Sequence, residues 1–188
     1  MATTPADPFD DWHRQLAEQR SRIRGLGELD SGVFNRRPEE GRWSIGENLE
    51  HLSLSIGPYL GAMERAIDEA RREGRTGSGP WKRGFLVGWF VNSVEPPVKL
   101  RVPTFRMLVP ERALDRDRVV EQLLRLTGDF GGIIDSMRGL DLGAVKFPSP
   151  VLPLLKLDLG SAVDLNLSHN RRHLWAIRRI LDDDEPTA

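Results

Sequence analysis

Arg42-Trp43-Ser44-Ile45-Gly46-Glu47-Asn48-Leu49-Glu50-His51-Leu52 is the stretch on which the fold turns. Ser44, followed three residues later by Glu47, is a capping box. The hydroxyl can accept from the backbone at Glu47, and the carboxylate can reach back to the Ser44 amide. A helix therefore starts here. Ile45, Leu49, Leu52, Ile56, Tyr59, Leu60, Met63 and Ile67 then recur at helical spacing and predict a helix to about Glu73. Gly57-Pro58 lies inside it. Proline removes a donor and crowds the carbonyl four residues back, which predicts a kink rather than two helices.

On the amino-terminal side, Phe9, Trp12, Leu16, Ile23 and Leu26 predict a first helix over about Phe9 to Leu29. On the carboxyl-terminal side, about Gly74 to Pro110 is irregular. It holds a turn at Gly77-Ser78-Gly79-Pro80, a short helix from Trp81 to Ser93, and chain kept extended by Pro96-Pro97, Pro103 and Pro110. Val119, Leu123, Leu126, Phe130, Ile133, Ile134 and Met137 predict a third long helix from near Asp115 to about Arg138. After a loop with Pro148, Pro150 and Pro153, a fourth starts near Ser161, with Asp164 three residues on, and runs to about Leu181. Strand signals are poor. The reading is an all-α four-helix bundle in up-down-down-up or a related order. Its long crossover between the second and third long helices carries the short extra helix. The whole chain, 1–188, reads as one domain, with polar ends frayed over about 1–7 and 183–188.

Composition narrows the function classes. Lys plus Arg number 27 against 28 Asp plus Glu, so no global charge drives the chain toward nucleic acid. There is no cysteine, which excludes disulfides, thiolate metal sites and a cysteine nucleophile of the chain's own. The most apolar run, Gly84 to Val94, is far short of the ~20 residues of a spanning helix, and the start has no secretory pattern. A cytoplasmic protein without nucleic-acid or membrane partners is expected. No Gly-rich phosphate loop or serine-hydrolase arrangement stands out. Trp81, Phe85, Leu86, Trp89 and Phe90 form an apolar helix face, read as a satellite core over the bundle. A lid, a homodimer surface and a membrane-surface helix are the sharper readings.

Four histidines remain: His13, His51, His169 and His173. The last two, four positions apart on a helix, share one face and can reach one ion. Ala162, Asn166, His169, His173, Ala176 and Ile180 make one inward stripe, and Asn48, His51 and Ser55 make a polar stripe on the second helix. By spacing alone H-x-x-x-H is a weak signal, and a lone histidine such as His51 is more often a hydrogen-bonded core or boundary residue than a ligand. Arg171 and Arg172 point round the helix from the histidines and read as a solvated face pairing with acids such as Asp182. Binding of an anionic substrate group by one of them is the functional option. Lys99, Arg101 and Arg106 are too sparse for a nucleic-acid surface.

The opening stretch resembles the motif that begins the second helix of the DinB-like superfamily of metal-binding four-helix bundles. His169-Asn170-Arg171-Arg172-His173-Leu174-Trp175 resembles that family's H-x-x-x-H. Pro96-Pro97-Val98 and Phe147-Pro148-Ser149-Pro150 are similar to one branch, the DinB_2 type. The likeness spans about Phe9 to Leu181. It implies a divalent-metal triad at His51, His169 and His173. Asn48 and Asn166 stand close by in sequence and read equally as partners of the ligands or contacts to substrate and as ordinary core hydrogen-bonding residues. His13 matches no family motif and reads as a surface or packing residue. Zinc or nickel suits three imidazoles first; manganese or iron can also bind. The resemblance further implies a metal-dependent enzyme, since characterised relatives include bacillithiol- or mycothiol-using thiol transferases and a thiol-dependent isomerase. The expected activity is transfer of a low-molecular-weight thiol to a small electrophile, or a related hydrolysis. The alternative is a non-catalytic stress or ligand-binding protein with a structural ion. One departure is Ala176, where related sequences often carry glutamine; the substrate then differs if that glutamine touches ligand. No residue is assigned a catalytic role beyond holding the metal.

Overall fold

The computed structural model describes residues 7–77, 81–95 and 104–184. Six helices and one hairpin occupy them: α1 (Pro8–Leu26), α2 (Ser31–Asn35), α3 (Ile45–Arg72), α4 (Phe85–Val94), α5 (Arg116–Ser136), β1 (Lys146–Pro148), β2 (Lys156–Asp158) and α6 (Leu159–Asp184), with a 3-10 turn at Arg106–Leu108. The four long helices are α1, α3, α5 and α6, as expected for an all-α bundle.

The capping box is present in full. Ser44 Oγ accepts from the Glu47 amide at 3.1 Å, and Glu47 Oε2 accepts from the Ser44 amide at 2.8 Å. Pro58 lies on the exposed side of an unbroken α3, where water can serve the carbonyl it displaces. The first helix ends at Leu26 rather than Leu29. Gly27 closes it, and Asp30 starts the separate α2 by accepting from the Gly32 amide. Phe34 of α2 is fully buried against α3, with ring atoms 2.5 Å from where a Cβ on Gly46 would stand. That explains a glycine inside the start of α3.

α6 begins two residues before Ser161 and runs on to Asp184. Asp158, not Ser161, caps it, accepting from the Ser161 amide at 2.9 Å and the Ser161 hydroxyl at 2.8 Å. The proline-bearing loop before α6 closes as a small antiparallel hairpin, with Phe147 opposite Leu157 and both buried in the core. The sequence carries too short a run there to signal strands. The expectations for Pro80, Pro96-Pro97, Lys99, Arg101, Pro103, the frayed residues before Asp7 and those after Asp184 lie outside the described residues. Asp7 itself caps α1 through the Phe9 amide.

Each of α1 and α3 packs against both α5 and α6, so α1 and α3 stand diagonally. Contacts fix the directions. His13–Asp135 and Arg20–Thr127 set α1 against α5 antiparallel, whereas Trp12–Asp164 and Gln19–Asn170 set α1 and α6 parallel. Glu50–Arg118 and Arg71–Ser136 make α3 and α5 parallel, and Asn48–His173 with His51–His169 make α3 and α6 antiparallel. The order is up-down-down-up. Parallel neighbours cannot be joined by a tight turn, which accounts for the crossover between α3 and α5.

Two apolar clusters form the core. One gathers Phe9, Trp12, Leu16, Ile56, Met63, Phe130, Ile134 and Leu167. The other gathers Ile23, Phe34, Leu49, Leu52, Val119, Leu123, Leu174 and Ile177. Burying each such side chain contributes roughly 1.5–3 kcal/mol. Between the clusters, every long helix contributes buried polar groups: Gln19 from α1, His51 and Ser55 from α3, Thr127 from α5, and Asn166, Ser168, Asn170 and His173 from α6. Such a layer is tolerated only when its groups are hydrogen-bonded. Much of it is spent on structure: Gln19 donates to the Leu167 carbonyl and accepts from Asn170, both at 2.9 Å. The α3–α6 side holds the histidines.

Candidate metal centre

His51 comes from α3, one turn beyond the end of the capping box, and His169 and His173 come from α6 at i and i+4. The antiparallel packing brings them together. Ring centroids are 5.1 Å apart for His51 and His169, 4.6 Å for His51 and His173, and 4.7 Å for His169 and His173. One ring nitrogen from each lies within 4.8 Å of the other two. His51 Nε2 and His169 Nε2 are 3.3 Å apart. Two nitrogens on one tetrahedral zinc at ~2.0–2.1 Å stand about 3.3–3.4 Å apart, so the donor set fits such an ion without rearrangement of this pair.

The outer ring nitrogens are held. Asn48 Nδ2 donates to the Ser44 carbonyl at 2.8 Å, which turns Asn48 Oδ1 toward His173 Nδ1, also at 2.8 Å. An amide oxygen only accepts, so His173 carries its proton on Nδ1 and offers an Nε2 lone pair inward. His51 Nδ1 donates to the Leu108 carbonyl at 2.7 Å, with the same consequence. That carbonyl belongs to the 3-10 turn at the end of the crossover. The Trp43 ring lies 4.7 Å from the His51 ring and stacks on His173 at 5.9 Å. Ser55 Oγ stands 3.4 Å from His51 Nε2 while donating to the His51 carbonyl at 2.7 Å.

The electrostatics favour neutral ligands. Burial, followed by the charge of His51 and then of Arg172, pushes His169 down to about 3. Burial and the other two rings hold His173 well below its ordinary value, and burial lowers His51. All three are therefore neutral at pH 7, the form that binds metal. At the head of α3, burial pushes the Glu47 carboxyl up, but the Arg37 fork and the Ser44 amide outweigh it and hold it below the usual range. Arg37 thereby braces the helix start that carries Asn48 and His51.

Asn166 is buried near the triad but spends its amide on the Ala162 carbonyl at 2.8 Å, and no hydrogen bond to a triad histidine is found among the described residues. His13 pairs with Asp135 on the surface, far from the other histidines. Arg171 does not pair with Asp182. It forks onto Glu95 at the end of α4 and reaches Gln15, because its face of α6 is covered by the crossover; Arg178 takes Asp182 instead. Arg172 is half-buried, and its charge adds to burial in lowering all three histidine rings. Trp81 precedes α4 rather than joining its face. It packs on Trp12 and over Gly160, where a Cβ would overlap the indole, and donates to Asp158 at 3.0 Å. Trp89 is 64% exposed, and the side chains of Phe85, Leu86 and Phe90 lie outside the described residues. Sequence reasoning missed the Leu108 carbonyl, for which no side-chain signal exists. It also gave Trp43 no role, although Trp43 stands inside the motif that marks the helix start.

An up-down-down-up bundle with an inward three-histidine cluster thus defines the class. The model of the DinB superfamily matches residues 15–177, and the chain belongs to that superfamily. Among solved structures, the fold is similar to YfiT from Bacillus subtilis, described as a probable metal-dependent hydrolase with an unusual four-helix-bundle topology. The TM-score is 0.62 at 15% identity, over 97% of this chain and 91% of that one. No curated protein matches the sequence. Among the described residues, no helix is long and apolar enough to cross a membrane.

Proposed function

We propose that this chain is a metal-dependent enzyme that holds one divalent ion on His51, His169 and His173 and joins a small-molecule thiol to an electrophile. Zinc or nickel suits this donor set first. Hydrolysis, with water as nucleophile, would use the same ligands. The observation that carries the reading is the triad: three neutral imidazoles with converging nitrogens, and no fourth protein ligand in the cluster among the described residues. Three ligands with an open position is the catalytic pattern, whereas a structural site is closed by a fourth. Membership of the superfamily and the description of YfiT support the same reading.

A divalent ion bound there supplies Lewis acidity that lowers the pKa of an incoming thiol or water. The chain's own residues do the rest. Asn48 and the Leu108 carbonyl keep the protons of His173 and His51 on Nδ1, so these rings neither flip nor lose their inward lone pairs. Trp43 packs against both rings, stacked on His173 and tilted against His51. The chain has no cysteine, so a sulfur nucleophile has to arrive with the cosubstrate. Metal analysis of the purified protein, followed by cobalt substitution, tests the reading. An open site shifts its cobalt spectrum on adding azide or a small thiol, and a thiol-transfer screen then finds turnover. A spectrum indifferent to both identifies a closed structural ion and ends the proposal.

A further inference from the structure

The 3-10 turn that sets the His51 tautomer also carries an apolar surface that the core does not use. Its backbone closes on itself, the Leu108 amide donating to the Phe105 carbonyl at 2.8 Å and the Val109 amide to the Arg106 carbonyl at 3.3 Å. The turn packs on α3 and buries the Leu108 side chain. Phe105, Met107 and Val109 nonetheless stay 46%, 62% and 49% exposed. Among the described residues five large apolar side chains are exposed, and these three fall within five consecutive positions; none of the five stands on α1, α3, α5 or α6. Apolar residues scattered singly over a surface are ordinary, whereas a group of them beside a site marks a contact surface.

Position ties this ledge to the triad. The Leu108 carbonyl accepts from His51 Nδ1 at 2.7 Å, so a single imidazole ring separates the turn from the inward Nε2. Met107 and Val109 flank Leu108 in the chain, with Cα atoms ~3.8 Å from its own. The same hydrogen bond holds the ledge in place relative to the candidate ligand. The His51 ring also meets the half-buried indole of Trp43, 4.7 Å away between centroids. His51 is thus bordered by an aromatic ring as well as by the apolar turn. Three side chains on one turn fall far short of the ~800 Å² per partner that a stable protein interface buries, but they match a short alkyl chain or a ring.

We infer that the substrate bound at this centre carries an alkyl chain or ring within a few atoms of its metal-seeking group, and that Met107 and Val109 receive it. The inference rests on the metal-dependent reading above. Apolar surface of substrate and ledge then leaves water together, which a wholly polar substrate cannot exploit.

Cobalt-loaded protein titrated with 1-propanethiol, 1-butanethiol and 1-pentanethiol, followed by the sulfur-to-cobalt band, tests it without turnover. Wild type should bind each longer thiol roughly fourfold more tightly, the worth of one buried methylene. Met107→Ser combined with Val109→Ser should flatten the series, with cobalt stoichiometry and the 2-mercaptoethanol affinity unchanged. Leu154→Ser, which removes a fully exposed apolar side chain from the hairpin loop, should leave the slope as in wild type. If the double variant does not fold, Met107→Gln takes its place and should lower the slope. A wild type that takes up cobalt but shows a flat series, a folded ledge variant that keeps the slope, or a Leu154 variant that loses it overturns the inference alone. So does light scattering that finds a dimer which the ledge variant splits, because the face then belongs to a second copy. A wild type that takes up no cobalt overturns the metal-dependent reading, and this inference with it.

Discussion

His173 Nδ1 donates to Asn48 Oδ1 across the α3–α6 interface at 2.8 Å, and the same asparagine is anchored by its amide nitrogen to the Ser44 carbonyl. The helix cap and the candidate metal ligand are thereby joined through one side chain. Asn48→Leu removes the acceptor and should weaken metal affinity about 10–100-fold, the usual loss for an outer partner of a ligating histidine. Asn48→Asp keeps an acceptor and should recover most of the affinity. Competition titration against a chelator measures both. Equal affinities for wild type and the leucine variant would show that the bond does not orient the ring.

His51→Ala, His169→Ala and His173→Ala should each cut bound metal strongly, while His13→Ala should leave it unchanged, because His13 is spent on Asp135 at the surface. Elemental analysis of the four variants beside wild type decides the matter. Stoichiometric metal in all three triad variants removes the site.

Acid should destabilise the metal-free protein from near neutrality. In the folded chain the three histidines are held below their ordinary value of 6.5, His169 at about 3. Below 6.5 the unfolded chain therefore binds more protons than the folded one, and stability falls as pH drops toward 3; above 6.5 this contribution is fully present and flat. Urea midpoints at pH 7.5, 6.5 and 5.5 should decline across the last two, before ordinary carboxylates begin to titrate at about 4. His169→Gln should flatten the decline. An unchanged slope in that variant would assign the acid sensitivity to other groups.

Ser44→Ala should cost about 1 kcal/mol in stability, the typical loss of an N-cap. Part of that loss should reappear as weaker metal binding, since Asn48 and His51 follow the cap within two turns. Thermal melts of loaded and metal-free protein separate the effects: a purely structural cap lowers both midpoints equally.

Gly46→Ala would place a Cβ 2.5 Å from the Phe34 ring. Overpacking of this kind costs roughly 1–3 kcal/mol. Gly46→Ala combined with Phe34→Leu should recover part of it, and a double-mutant cycle measures the coupling. Additive effects would mean that α2 docks independently of Gly46.

Period and capping chemistry are local, and they settled much of this protein from the sequence alone. Ser44 and Glu47 are three residues apart, and every partner they need lies within that turn, so the start of α3 was legible. The apolar spacing of α1, α3, α5 and α6 was legible for the same reason, as was the sharing of one face by His169 and His173. Ends set by competition between neighbouring caps were read less well. Gly27 and Asp30 split the first helix, and Asp158 displaced Ser161 because its carboxylate takes both the amide and the hydroxyl of that serine. Family likeness, not spacing, singled out His51 as the third candidate ligand. Only the tertiary structure decided what surrounds the triad: the Leu108 carbonyl that sets the His51 tautomer, Trp43 stacked on His173, and Arg171 drawn to Glu95. Each depends on groups tens of residues apart meeting across helices, or on which flank of α6 the crossover covers. A 3.6-residue period states which residues share a face; it carries no information about what that face meets.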